Sequence, residues 1–366
     1  MRCILRSQRS RDLCLGLCLG LSALSLVLWP EQACDAMKTG MSRYLGRLLE
    51  PVMAPLFRIN GACACALALG VVGGYPVGAQ TAIQLYQSGQ CSKDEAERLL
   101  AFCNNCGPAF ILGVVGTGVF GSGAAGFLLY FTHLLASLLV GLVFRFHGRK
   151  SPAVQTAVRP QFQAVRFGTV FPRAVTGALQ STFNICAFVL FFAVAVRMLN
   201  VSGLSAILSR GLYLLLGPLG MSPDGGQRLL VGLLEVSSGV TSLTGGSLQG
   251  RLSMAAFMLG WAGLSVHCQV LAFLGDSGLS MGIYLAGKFL HGILSALLTH
   301  LLVRVLPMEL SVSSALAQQT EGITTLEFQQ ALAISSAVAW IVWLTFFGLT
   351  VFAIQKSSGK RRMLGV

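Results

Sequence analysis

Long apolar blocks recur along the whole chain, at residues 14–29, 108–120, 126–144, 174–199, 254–274, 281–305 and 332–354. A helix needs about 20 residues to cross the hydrocarbon core of a bilayer. The longer blocks therefore predict transmembrane helices and the shorter ones broken or re-entrant segments, roughly seven to nine membrane elements in one integral domain.

Two of the apolar ramps run into polar breaks. "LGVVGGYPVGAQ" (69–80) brings two glycines, a tyrosine, a proline, a third glycine and a glutamine to hydrophobic depth, and "VGLLEVSSGVTSLTGG" (231–246) brings a carboxylate and a Ser-Ser-Gly. Setting Leu69 against Val231 places Gly73 opposite Glu235, and Tyr75 and Pro76 opposite Ser237 and Ser238. The flanking features keep the same order. Proline-containing amphipathic segments precede the ramps ("RYLGRLLEPVMAPLF", 43–57; "RGLYLLLGPLGMSP", 210–223), and helices opening with Ala-Phe follow them (101–102; 256–257). Each half closes on an arginine, Arg145 or Arg304. This order predicts an all-α membrane protein, a polytopic helical bundle with two inverted repeats, each contributing a broken or re-entrant helix. Unwound backbone at membrane depth is tolerated where it is buried or lines a cavity, which makes paired breaks the best sequence pointer to a transporter-type site.

Composition agrees with a membrane protein: 366 residues, 54% hydrophobic and 11% charged, against about 25% charged in soluble domains, with a mean hydropathy of +0.72. The formal charge of +13 is gathered in Arg2, Arg6, Arg9 and Arg11, in Arg145 to Arg173, and in Lys356 to Arg362, flanking spans rather than forming a nucleic-acid surface. By the positive-inside rule, both termini and the loop 146–173 are expected in the cytoplasm. Residues 305–355 lack Lys and Arg and carry Glu309, Glu321 and Glu327, so the loop 306–330 is expected outside. The organisation read from this is a first transmembrane helix or signal anchor (1–30), a first repeat (42–145), the basic loop (146–173), a linking helix with the second repeat (174–305), the outer loop, and a last span with a basic tail (331–366).

Several residues carry candidate chemistry. Glu235 sits between apolar residues and a break, where an acidic side chain costs at least about 2.5 kcal/mol, so it is expected to face the bundle interior with a partner or ligand. "CNNCGP" (103–108) contains a CxxC with no second pair to complete a metal site, and reads as a helix interruption whose Asn104 and Asn105 amides meet freed backbone groups. His133, His267, His291 and Lys288 fall on predicted spans and read as packed polar residues. No metalloprotease motif or carboxylate cluster is present, so neither an enzyme nor a cofactor is expected. The expected site is one shared polar centre of Gly74, Tyr75, Pro76, Gln80, Asn104, Asn105, Glu235, Ser237, Ser238 and Thr241, holding a small uncharged or cationic solute and water.

The block from Gly73 to Ser122, with "GLLEVSSG" at 232–239, closely resembles the YlbJ family of sporulation integral membrane proteins, and the resemblance extends over about 42–354. That family sits in a wider group carrying a nucleoside-recognition or Gate domain, shared with spore maturation proteins, the membrane part of ferrous-iron transporters and, more distantly, concentrative nucleoside transporters. The resemblance implies a bacterial inner-membrane location, a role in spore formation, a pore-like fold, and partners limited to lipid, a small polar solute, further copies of the chain or other sporulation membrane proteins. Cys106 departs from the family, whose Asn-Asn-x-Gly-Pro motif carries a small hydroxyl residue there, which argues against a family-wide cysteine chemistry.

Overall fold

The computed structural model describes residues 41–148, 167–275 and 277–305. The predicted first span, residues 149–166 of the basic loop, the outer loop and the last span with its tail lie outside the described residues. Among the described residues every regular element is helical.

The chain runs through α1 (Met41–Phe57), a 3-10 turn (Gly61–Cys63), α2 (Ala64–Gly73), α3 (Val77–Gln87), α4 (Lys93–Cys103), a π-helix (Ala109–Val119) and α5 (Gly123–Phe144). It continues through the long α6 (Phe167–Val201), α7 (Leu204–Leu216), a second 3-10 turn (Gly217–Leu219), α8 (Pro223–Leu234), α9 (Val236–Thr241), α10 (Leu248–Trp261), α11 (Gly263–Leu274) and α12 (Met281–Val305). One order of elements occurs twice: a helix, a 3-10 turn, two short helices split by a break, a longer helix split by a break, and an uninterrupted long helix.

Four stretches are long and apolar enough to cross a membrane: Gly123–Phe144, Leu179–Val201, Leu248–Leu274 and Met281–Val305. Counting the pair Leu49–Phe57 and Gly61–Gly73, bent by 101°, as one further span makes five among the described residues. α1 differs from the expected proline-broken helix, since it continues through Pro51 and Pro55. Both prolines lie on its exposed face, where the carbonyls that lose an N–H partner can meet solvent or headgroups.

Local chemistry sets several helix starts. Ser92, Ser122, Ser222 and Ser247 each accept a hydrogen bond from the backbone N–H three residues on, and Ser92 with Glu95 forms the reciprocal capping box its spacing predicts. Two apolar clusters then hold the bundle. One gathers Met53, Phe57, Leu99, Phe102, Val140 and Tyr284. The other joins Ile111, Val115 and Leu129 to Val236, Val240 and Met258, with Tyr75 packed against it, and so unites elements from both halves of the chain. Where α10 crosses α12 the backbones touch: a Cβ on Gly260 would lie 2.6 Å from the Gly292 Cα. Small residues permit this approach, and in a bilayer such close packing replaces the hydrophobic drive that water supplies elsewhere.

Candidate functional site

Each short-helix break is seated on the break of the longer helix in its own half. Gly74 has φ +79°, and a Cβ there would stand 2.9 Å from the Gly107 nitrogen, so glycine is required both for the turn and for contact with the Asn104–Pro108 interruption. α3 restarts after Pro76, with Val77 N–H donating to Gly74 O at 3.0 Å. In the second half Glu235 is the single extended residue between α8 and α9. Gly263, also left-handed, brings the α10–α11 break so close that a Cβ would lie 3.0 Å from the Val236 nitrogen.

The carboxylate of Glu235 is 1% exposed and caps α9, accepting from Ser237 N–H at 2.9 Å and Ser238 N–H at 2.6 Å. Two orphan donors and the positive end of the helix dipole thereby stabilise a charge buried among apolar residues.

A polar network crosses the core at the other break. The end of α4 frees carbonyls that its own helix cannot satisfy. Phe102 O accepts from Asn105 Nδ2 at 3.1 Å and from Ser137 Oγ at 2.7 Å, and Asn104 O accepts from Lys288 Nζ at 2.8 Å. Lys288 Nζ also lies 3.3 Å from His291 Nδ1 and 5.5 Å from the centroid of the Tyr75 ring. His291 Nε2 faces His133 O at 2.9 Å, and His133 Nε2 accepts from Cys106 N–H at 3.0 Å. On the opposite side, Asn104 Nδ2 donates to the Tyr284 hydroxyl at 3.2 Å, which lies 3.2 Å from His267 Nδ1. Lys288, His291 and Asn104 are fully buried, and among the described residues no carboxylate comes within salt-bridge distance of Lys288.

Comparison with known proteins decides the family. No family model matches the chain. The sporulation integral membrane protein YlbJ of Bacillus subtilis (strain 168) is 33% identical over 282 residues, covering 72% of this chain and 69% of that protein. The chain belongs to the YlbJ family. Relationship to an integral membrane protein, together with the apolar helices, makes it a multi-pass membrane protein. A solved structure of a CNTnw variant in an intermediate state aligns over 80% of this chain and 75% of that one, at a TM-score of 0.48 and 16% identity.

The residues singled out from the sequence of this YlbJ-family chain fall in three places. Gly74, Tyr75, Pro76, Asn104 and Asn105 meet at the first break. Glu235, Ser237, Ser238 and Thr241 stay within the second, where the exposed Thr241 hydroxyl bonds back to Ser237 O and Ser238 O. Gln80 instead lines a cleft of about 260 Å³ between α3, α6 and α11, with Gln84, Gln180, Ser181 and Asn184. Two hydrogen bonds tie α10 to the short helices of both halves: the Tyr75 hydroxyl donates to Leu259 O at 2.6 Å, and Trp261 Nε1 donates to Leu233 O at 3.1 Å. Cys103 and Cys106 are buried free thiols, and among the described residues no group of His, Cys, Asp or Glu is arranged to hold a metal ion.

Sequence reasoning passed over Lys288, His291, His133 and His267 by weighing each alone. Their signal was joint. Tyr284, Lys288, His291, Ser295 and Thr299 recur every three or four residues on one face of α12, and all five are fully buried.

Proposed function

We propose that this chain serves sporulation as a transporter or channel-like protein for a small polar solute, held at a site formed by the two breaks and the Lys288 network. The observation that carries this reading is a set of buried polar atoms with no hydrogen-bond partner in the described structure: Asn104 Oδ1, Asn105 Oδ1, His133 Nδ1 and His267 Nε2. Each unmet group costs about 1–3 kcal/mol, and a solute or water offering both donors and acceptors would recover it. A polar, uncharged solute suits a centre that already contains a lysine. The candidate contacts are Gly74, Tyr75, Pro76, Asn104 and Asn105 at the first break and Glu235, Ser237 and Ser238 at the second; Gln80, in the separate cleft, and the exposed Thr241 are left out. The repeated order of elements supports reading 43–145 and 203–305 as inverted repeats of the Gate type, and the bacterial relative together with the basic flanks supports a bacterial inner membrane with both termini cytoplasmic. This reading assigns no enzymatic step to the chain.

The second reading is a structural or assembly protein of the forespore envelope. The closed packing favours it: Gly74 lies directly against Gly107, and Lys288 is 0% exposed. Uptake of nucleosides and other small uncharged solutes into proteoliposomes tests the choice. Saturable uptake that is lost with Tyr75→Ala supports transport. No uptake of any solute, with sporulation restored by the same variant, supports the structural role.

A further inference from the structure

Lys288, when protonated, places a positive charge where an uncompensated ion costs several kcal/mol, and no described carboxylate answers it. Two acceptors and one aromatic face nevertheless surround it. Asn104 is the C-cap of α4, so its carbonyl is one that a helix end leaves free, at the negative end of the helix dipole. His291 Nε2 faces the His133 carbonyl and must therefore carry a hydrogen, which leaves Nδ1 as the lone pair that accepts from the ammonium. The Tyr75 ring, its centroid 5.5 Å from Nζ, presents a face whose quadrupole attracts a cation.

A carbonyl at a half-helix end, an imidazole lone pair and an aromatic face, with no anion among them, form the kind of set that binds a monovalent cation. Discontinuous helices in membrane proteins hold such ions with freed carbonyls of this type. Here the chain's own side chain fills the set. An anion-binding role fits less well, because two of the donors an anion would need are already committed and the group nearby is an aromatic face.

We infer that Lys288 is a tethered cation that occupies a cation site at the α4 break, so that the bundle closes around this site without sodium or potassium. Because it rests on the contacts of Lys288 alone, this stands independently of whether a solute crosses the membrane.

Thermal unfolding of the full-length protein in nanodiscs tests it, in sodium, potassium, methylammonium or choline chloride at equal ionic strength. The native protein is expected to unfold at one temperature in all four salts. Lys288→Ala should unfold several degrees lower in choline and regain part of the loss in sodium or methylammonium, which fit the vacated space. Lys288→Met, which fills that space without charge, should be lowered and gain nothing from either cation. Recovery of folded Lys288→Ala from membranes in methylammonium against choline gives the same comparison if the variant is too weak to purify otherwise. Stabilisation of the native protein by sodium over choline would overturn the inference. So would a Lys288→Met protein as stable as the native one, or an alanine variant that responds to no cation.

Discussion

The side-chain nitrogen of Lys288 on α12 donates at 2.8 Å to the main-chain carbonyl of Asn104, a residue 184 positions earlier at the C-terminal end of α4. A long unbroken helix of one half thus completes the broken helix of the other. The same dependence recurs at Tyr284, one turn earlier, whose hydroxyl stands between the Asn104 amide and the His267 ring. Tyr284→Phe keeps the packing and leaves both groups without that partner. It is expected to cost about 1–3 kcal/mol for each group left unmet, read as a lower unfolding temperature with unchanged membrane insertion.

Glu235→Gln retains the shape of the α9 cap and removes its charge. One amide oxygen can then serve only part of the two donors that the carboxylate now accepts. The loss expected is about 1.5–3 kcal/mol, the range for hydrogen bonds to a charged group, together with impaired spore formation from a protein that still reaches the membrane. Normal sporulation with this variant would remove Glu235 from the functional site.

Two positive-φ glycines differ in both strain and contact. Gly89 has φ +71° with nothing within 4 Å of an added Cβ, whereas Gly74 has φ +79°, ψ −170° and the Gly107 nitrogen at 2.9 Å. Gly89→Ala is expected to cost about 1–2 kcal/mol from backbone conformation alone. Gly74→Ala should cost clearly more, because its dihedrals suit essentially only glycine and an added Cβ would also meet Gly107; equal unfolding temperatures for the two variants would show that the break shifts to relieve both.

Thr132 and Thr299 share a hydroxyl contact at 2.8 Å between α5 and α12, both fully buried. Changing Thr132 to valine leaves the Thr299 hydroxyl without that partner, whereas Thr132 keeps its bonds to Leu128 O and Leu129 O when Thr299 is changed, and changing both replaces the pair by apolar groups of the same shape. The double variant should therefore be more stable than the sum of the singles predicts, with a coupling of about 0.5–3 kcal/mol in a double-mutant cycle.

Orientation is open to direct labelling. With positive loops inside, a membrane-impermeant thiol reagent added to intact cells is expected to label a cysteine introduced at Thr320 and to miss one at Arg159. The reverse pattern would invert the whole topology.

The sequence made the breaks legible because glycine, proline and a lone carboxylate are conspicuous inside apolar runs. The span 281–305 coincides with α12, and Ser92 with Glu95 gave the start of α4. The continuity of α1 through two prolines was hidden, since it depends on which face those prolines present. The convergence of Lys288, His291, His133 and Asn104 was hidden for a related reason. Periodicity places 284, 288, 291, 295 and 299 on one stripe of α12, but only the packed fold says that α4 and α5 come to meet it.

The long helix α6 has a different bearing on how this chain can change over time. Along Leu179–Val201 only 6% of the apolar stretch is buried, and Phe183, Leu190, Phe191, Met198 and Val201 each show more than half their surface. Lipid accepts nearly any oily side chain, so exchanges among leucine, valine, phenylalanine and methionine there can accumulate almost unopposed. The stripe from Tyr284 to Thr299 has no such latitude, because Tyr284, Lys288, His291 and Thr299 each meet a specific atom elsewhere in the fold. Descendants of this protein can be expected to drift fast in the first segment and to stand nearly still in the second.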